Sequence, residues 1–226
     1  MLYRAGGTVI LCTASVSEGV PKFLAGRGEG WITAEYQMHP RANDARQDRD
    51  GRGKSLASRT QEIQRLIGRS LRSVVDRKLL GERTLTIDCD VLEADGGTRT
   101  ASVTAGFIAL ALALAKLRAR DRSFVPCLVS SVAAVSAGIV DGQGALLDLA
   151  YVEDSNARVD LNVVATDTGE LVEVQGTAEG EPVPRAAFDA LTTLALEGIA
   201  ELSLLQRHVL SSDGVELDTL VRRASA

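Results

Sequence analysis

Thr84-Leu85-Thr86-Ile87-Asp88-Cys89-Asp90-Val91-Leu92-Glu93-Ala94-Asp95-Gly96-Gly97-Thr98-Arg99-Thr100-Ala101-Ser102 spells a strand, a tight turn and the opening of a helix in one line. Leu85, Ile87, Cys89 and Val91 alternate with polar residues, the period of a half-buried strand. Ala94-Asp95-Gly96-Gly97 breaks that period. From Thr98 to about Arg118 the chain is apolar nearly all round, with Val103, Phe107, Ile108, Leu110, Leu112 and Leu114, which predicts a buried central helix. Its longest apolar run, Ala105 to Ala115, is too short to span a bilayer, so no membrane is expected.

Around this unit the other elements are punctuated by glycine and proline. Thr8 to Val16 and Trp31 to Met38 read as strands, with a glycine-marked loop between them. Residues 39–58 are polar and arginine-rich and predict a long exposed loop, which in a domain is commonly functional or disordered. From Arg59 to Arg77, Ile63, Leu66, Ile67, Leu71, Val74 and Val75 follow helical spacing. Arg65, Arg69 and Arg72 fall on the opposite, solvated face. Arg59 falls on the core side, where a charge needs an anionic partner.

Beyond the central helix, Cys127 to Val140, Ala145 to Val152, Asp160 to Thr166 and Leu171 to Thr177 all read as strands. Asp141-Gly142-Gln143-Gly144 and Asp167-Thr168-Gly169 supply turns among them. Pro184 to His208 predicts a final amphipathic helix, and the tail after Ser211 is polar and weakly patterned. With no internal repeat or linker, the pattern predicts a single α+β domain.

Composition limits the function. The 226 residues are 45% hydrophobic and 24% charged, an ordinary globular profile. A net charge of −5 does not mark a general nucleic-acid binder but leaves room for a local basic site. Cys12, Cys89 and Cys127 form no C-x-x-C pair and read as buried thiols in a reducing, cytoplasmic setting. Met1 to Gly7 lacks the apolar core of a signal peptide. Gly51-Arg52-Gly53-Lys54-Ser55 resembles a P-loop end, but Asp48 stands where the first glycine is needed. Gly26-x-Gly28-x-Gly30 has the wrong spacing for a dinucleotide loop, and two histidines make a histidine metal cluster or a Ser/His/Asp triad improbable.

Three segments carry candidate chemistry. At Gly97-Thr98-Arg99 the glycines allow close backbone approach and a helix N-terminus attracts anions. Thr98 offers a hydroxyl, and Arg99 a planar fork matched to phosphate. A plain helix cap beside a surface arginine is the alternative. Asp154 and Asp160 end one predicted strand and start the next, so they can face each other across a loop. That arrangement suits a cation that keeps most of its waters, as Mg²⁺ does, although Asp at strand ends is common. The 39–58 loop carries Arg41, Arg46, Arg49, Arg52 and Lys54 against Asp44, Asp48 and Asp50. It is either a contact for a phosphate backbone or a solvated charge run.

The wording of several segments taken together decides among these. Leu11 to Val16, Gly30 to Tyr36, Glu62 to Arg72, Asp88 to Ser102, Tyr151 to Ser155 and Val174 to Pro182 closely resemble the ribonuclease PH family, a likeness running from about Gly7 to about Gln206. The resemblance implies a fold like the second domain of ribosomal protein S5, an RNase PH-like domain over residues 1–208 and a tail over 209–226. It implies a homo-hexameric ring built as a trimer of dimers. The implied activity is phosphorolytic 3′-to-5′ exoribonuclease, or tRNA nucleotidyltransferase, trimming tRNA precursors and other RNA 3′ ends such as rRNA, with inorganic phosphate as co-substrate. Phosphate binding then falls on Arg59, Gly97, Thr98 and Arg99, catalysis and Mg²⁺ on Asp154 and Asp160, and tRNA contact on Arg41, Arg46 and Arg49.

Three departures stand out. A first strand that family members pair near Thr8 is missing from the pattern. Ala57-Ser58-Arg59-Thr60 replaces G-G-R-T, and Asp160-Leu161-Asn162 replaces D-M-N, the latter a size-conserving exchange. An inert RNA-binding ring subunit is the competing reading. Such subunits typically lose the arginines or aspartates, and this chain has both sets.

Overall fold

The computed structural model describes residues 1–53 and 55–222. Lys54 of the basic loop and residues 223–226 of the tail lie outside the described residues. In chain order the elements are β1 (Leu2–Ala5), β2 (Thr8–Glu18), β3 (Trp31–Met38), α1 (Ser58–Ser73), α2 (Arg77–Leu80), β4 (Arg83–Glu93), α3 (Thr98–Arg120), β5 (Val132–Val140), β6 (Gly144–Leu147), α4 (Tyr151–Asp154), β7 (Ala157–Thr166), β8 (Leu171–Ala178) and α5 (Arg185–Ser212).

Two four-stranded sheets result, ordered β1-β2-β4-β3 and β6-β5-β7-β8. The first is mixed, because β3 and β4 are parallel neighbours joined through α1. The second is antiparallel throughout. The α3 helix packs against β2 and β4 on one side and β5 on the other, while α5 covers the opposite face of β5 and β7. The layers run sheet, helices, sheet, helix.

Alternation accounts for how β5 serves two cores. Val132 and Ala134 join the core around α3, and Ala133, Val135 and Ala137 join the core under α5. A strand covered on both faces must be apolar throughout, which explains why the sequence shows a continuous run there. The fully buried Phe107, Leu110 and Leu114 anchor α3, each contributing roughly 1.5–3 kcal/mol relative to exposure. Although α3 has the length and hydropathy of a spanning helix, its apolar window is mostly buried inside the protein. The three cysteines are free and buried, with Cys12 Sγ donating to Cys89 Sγ at 3.4 Å across paired strands.

Several expectations shift. The edge beside Thr8 is occupied by β1, which pairs Leu2 to Ala5 with Leu11 to Thr8 through the turn at Gly6-Gly7. Residues 145–152 are not one strand: β6 stops at Leu147, Asp148 takes a left-handed conformation (φ 56°), and α4 follows. Contacts unreadable from periodicity start that helix, since Ala150 N–H donates to the Glu153 carboxylate at 2.8 Å and Tyr151 N–H to Asp95 at 3.3 Å. The strand predicted from Cys127 begins at Val132, because Leu128 pairs instead with Val75 and Val221. The tail is docked through buried Leu217 and Leu220, residues too sparse to form a pattern. Arg72 is not solvated. Its guanidinium stacks 4.3 Å from the Trp31 ring and donates to the Ile32 carbonyl at 2.7 Å.

Candidate active site

The site is assembled where the N-terminus of α3 meets β7, β8, β3 and the start of α1. Gly97 is the N-cap of α3 in the left-handed region (φ 55°, ψ 17°), a conformation other residues adopt at a cost. Gly96 (φ 81°) is tighter still. A Cβ there would collide with the Leu149 carbonyl and come within 2.9 Å of the Ala150 carbonyl carbon and the Tyr151 nitrogen. Thr8 Oγ1 binds the same turn twice, donating to Gly96 O at 2.8 Å and accepting from Asp95 N–H at 2.9 Å. The turn is therefore fixed against both the first sheet and the segment that opens α4.

Of the three residues expected to hold phosphate at this turn, Thr98 has its side chain already engaged. It is buried, and its Oγ1 accepts from the Tyr36 hydroxyl at 2.9 Å. Burial pushes the Tyr36 phenol up from its ordinary pKa, an effect opposed by the Thr98 hydrogen bond and by the charges of Arg59 and Arg99. Both arginines thus act electrostatically on one buried phenol. Arg99 Nη1 donates to Glu62 Oε1 at 2.9 Å and to Gln175 Oε1 at 3.1 Å. Arg59 sits in the first turn of α1 and is exposed, so burial does not force an anionic partner on it. The helical face was read correctly, but that face runs past the edge of the core before it reaches Arg59.

Asp160 lies on the face of β7 that turns away from α5, in register with Gly138 and Thr177. Asn162 Nδ2 makes long contacts to both its carboxylate oxygens, at 3.5 and 3.4 Å. Burial raises its pKa first and the Asp154 charge second, while Arg99, the Asn162 contact and Arg59 pull it down. Of these groups Asn162 touches the carboxyl directly, and Asp154, Arg99 and Arg59 act on it through their charge. Asp154 is exposed at the end of α4, a helix rather than the strand end predicted. Among the described residues no group of three or more His, Cys, Asp or Glu could hold a metal. The two aspartates nonetheless fit a cation that keeps most of its waters, since the Asp154 charge raises the cost of charge on Asp160 and a cation would offset it.

A cleft of about 740 Å³ lies between the start of α1 and the basic loop, lined by Tyr36, Arg59 and Thr60 and by Arg46, Arg49 and Arg52. Asp50 closes the loop onto α1 by accepting from Ala57 N–H at 3.0 Å, and hydrogen bonds from Thr60 and then Ala57 hold its carboxyl below the usual range. Arg41 is outside the cleft lining, its guanidinium donating to the Asp44 carbonyl at 2.6 Å. Arg46 is paired with Asp48 at 3.1 Å, an exposed contact of little energy. The cleft thus holds Arg59 with Arg46 and Arg49, two of the three loop arginines, while Arg99, Asp154 and Asp160 lie outside its lining. Sequence reasoning missed Tyr36, Glu62 and Gln175. Only Tyr36 carried a local signal, as a polar-tipped residue continuing the inward row of Ile32 and Ala34.

The fold and this cleft define a nucleic-acid-processing enzyme of one family: the chain belongs to the 3′ exoribonuclease family, whose domain 1 profile matches residues 1–116 and domain 2 profile residues 130–198. Similar proteins include those named Ribonuclease PH from Mycobacterium sp. strain KMS and strain JLS. Each is 52% identical over 213 residues, covering 94% of this chain and 82% of the relative. Among solved structures, rice (Oryza sativa) Rrp46 superposes with a TM-score of 0.71 at 14% identity, over 93% of this chain and 87% of that one. An Archaeoglobus fulgidus exosome with RNA bound to the active site gives 0.70 at 20% identity, over 89% and 80%. These two likenesses establish the fold, which is the RNase PH type expected.

Proposed function

We propose that the chain is a phosphate-dependent 3′-to-5′ exoribonuclease that trims tRNA precursors and other RNA 3′ ends, releasing nucleoside 5′-diphosphates. The observation that carries this reading is a cleft lined by Arg59, Tyr36 and loop arginines, whose Tyr36 hydroxyl is bonded to Thr98 in the Gly97-Thr98-Arg99 turn. Two guanidinium groups can hold one phosphate while the loop arginines take the RNA backbone.

In this reaction an oxygen of inorganic phosphate attacks the phosphorus of the last phosphodiester. The bond from that phosphorus to the 3′ oxygen breaks, and the 3′ oxygen leaves with a proton. Arg59, Arg99 and the Gly97-Thr98 turn position the attacking phosphate, and their charges offset the negative charge gathering in the transition state. Asp160, whose carboxyl is raised by burial, is suited to assist proton transfer to the leaving oxygen. Mg²⁺ held by Asp154 and Asp160 would supply charge neutralisation at the same point. Arg41, Arg46 and Arg49 contact RNA in this reading, six copies assemble as a ring of three dimers, and the enzyme works in the cytoplasm.

The test is to incubate a tRNA precursor with and without phosphate and analyse the products. Nucleoside diphosphates should appear only with phosphate. Release of nucleoside monophosphates irrespective of phosphate would overturn the phosphorolytic reading, and bound but uncut RNA would favour the inert ring subunit.

A further inference from the structure

We propose that Glu62 and Gln175 are positioning residues that aim Arg99 at phosphate by occupying one terminal nitrogen of its guanidinium. The inference rests on the reading of Arg99 as a phosphate ligand and adds how that ligand is held. Nη1 of Arg99 carries two hydrogens, and the structure gives it two acceptors, Glu62 Oε1 at 2.9 Å and Gln175 Oε1 at 3.1 Å. Among the described residues neither Nε nor Nη2 has a partner. The edge left over is the one that offers two parallel N–H groups side by side, the geometry suited to two phosphate oxygens.

The two acceptors come from elements distant in sequence, Glu62 from α1 and Gln175 from β8, while Arg99 belongs to α3. A flexible arginine is thereby tied to three elements at once. The orientation of Gln175 is itself specified. Its Nε2 donates to Glu173 Oε1 at 2.9 Å, and Glu173 Oε2 accepts from Arg69 at 3.0 Å. With the amide nitrogen committed to a carboxylate, the amide oxygen must face Arg99. The side chain of Arg99 is 19% exposed, so it is not sealed from solvent-borne phosphate. Glu62 lowers the net charge that Arg99 presents, so this arrangement favours aim over raw attraction.

The proposal separates geometry from charge, and variants can do the same. Glu62→Gln keeps an acceptor oxygen and removes the charge. Glu62→Leu and Gln175→Leu remove the acceptor. Phosphate affinity would be measured by calorimetry on the full chain with inorganic phosphate alone, and the KM for phosphate and for RNA by turnover. Each Leu variant should weaken phosphate binding about tenfold, the loss of one hydrogen bond to a charged group. The KM for phosphate should rise with it, the KM for RNA should stay within about twofold, and Glu62→Gln should stay within about threefold of the native protein. Leu variants that bind phosphate like the native chain overturn the proposal. So does a parallel rise of both KM values with a fallen melting temperature, the mark of a structural role. Native protein that binds phosphate but releases no nucleoside diphosphate would sink the functional reading while the binding arm still judges this one.

Discussion

Arg99 and Asp160 differ in what surrounds them, and that difference predicts different phenotypes. Arg99 is 19% exposed and bonded to Glu62 and Gln175, so its removal should cost about 1–3 kcal/mol of stability. Arg99→Ala should still reduce phosphate-dependent release of nucleoside diphosphates by about 10²–10³-fold, the effect of losing one preorganised charge-stabilising donor. A product assay beside a thermal melt checks both halves. Asp160 is half-buried, and burial raises its folded pKa above the unfolded value. A carboxyl shifted that way costs stability at neutral pH, and the cost disappears as pH falls through the folded pKa towards about 4. Asp160→Asn should therefore melt no lower than the native protein at pH 7, with any gain closing as the medium is acidified. Its turnover should fall about 10²-fold, and added Mg²⁺ should not fully restore it. A variant that loses stability at pH 7 together with activity would mark Asp160 as a structural group.

At the scale of elements, the turn between β4 and α3 is held from both sides, and Gly96 is where the constraint is hardest. Its φ of 81° and the collision of a Cβ with the Leu149 carbonyl set backbone against backbone, which no rotamer change relieves. Gly96→Ala should destabilise by about 2–4 kcal/mol, as overpacking and strain at a left-handed position combine. Gly97→Ala, where the nearest atom lies 3.4 Å away, should cost only about 1 kcal/mol. Denaturant melts of the two variants decide the ranking, and equal losses would show that the α4 segment moves aside. The same region shows how short elements depend on neighbours. At four residues α4 is far below the length at which a helix sustains itself, and Asp95 and Glu153 hold its start.

For the whole molecule, an acidic chain that engages RNA needs its positive charge concentrated, and the cleft concentrates Arg46, Arg49, Arg52 and Arg59 along one path. Replacing Arg46 and Arg49 together by Ala should raise the KM for RNA about tenfold at moderate salt and flatten its salt dependence. The KM for phosphate should hardly change, because neither side chain belongs to the α3 turn. A phosphate KM that rises equally would mean the loop shapes the phosphate site itself. The proposed ring predicts light scattering at six times the mass of one chain, and a monomer would leave the loop arginines of each copy to act alone.

Much of this arrangement is legible in the sequence. Alternation at 84–93, the glycine pair and the apolar run to Arg118 determined a strand, a turn and a buried helix, because each is a local period or a local backbone demand. The same reasoning located Gly97, Thr98 and Arg99 and assigned the face of α1 that carries Arg59. What it could not supply were contacts without a period. Residues 145–152 read as one strand, but Asp95 and Glu153 start a helix at Tyr151, and Arg72 reads as solvated, but Trp31 lies under it. Glu62 and Gln175 are separated from Arg99 by long stretches of chain, and nothing local announces that they share its Nη1. The sequence determined which side chains could grip a phosphate. Only the tertiary structure decided how they are aimed, because the direction of a long arginine is set by acceptors that the fold brings to it from elsewhere.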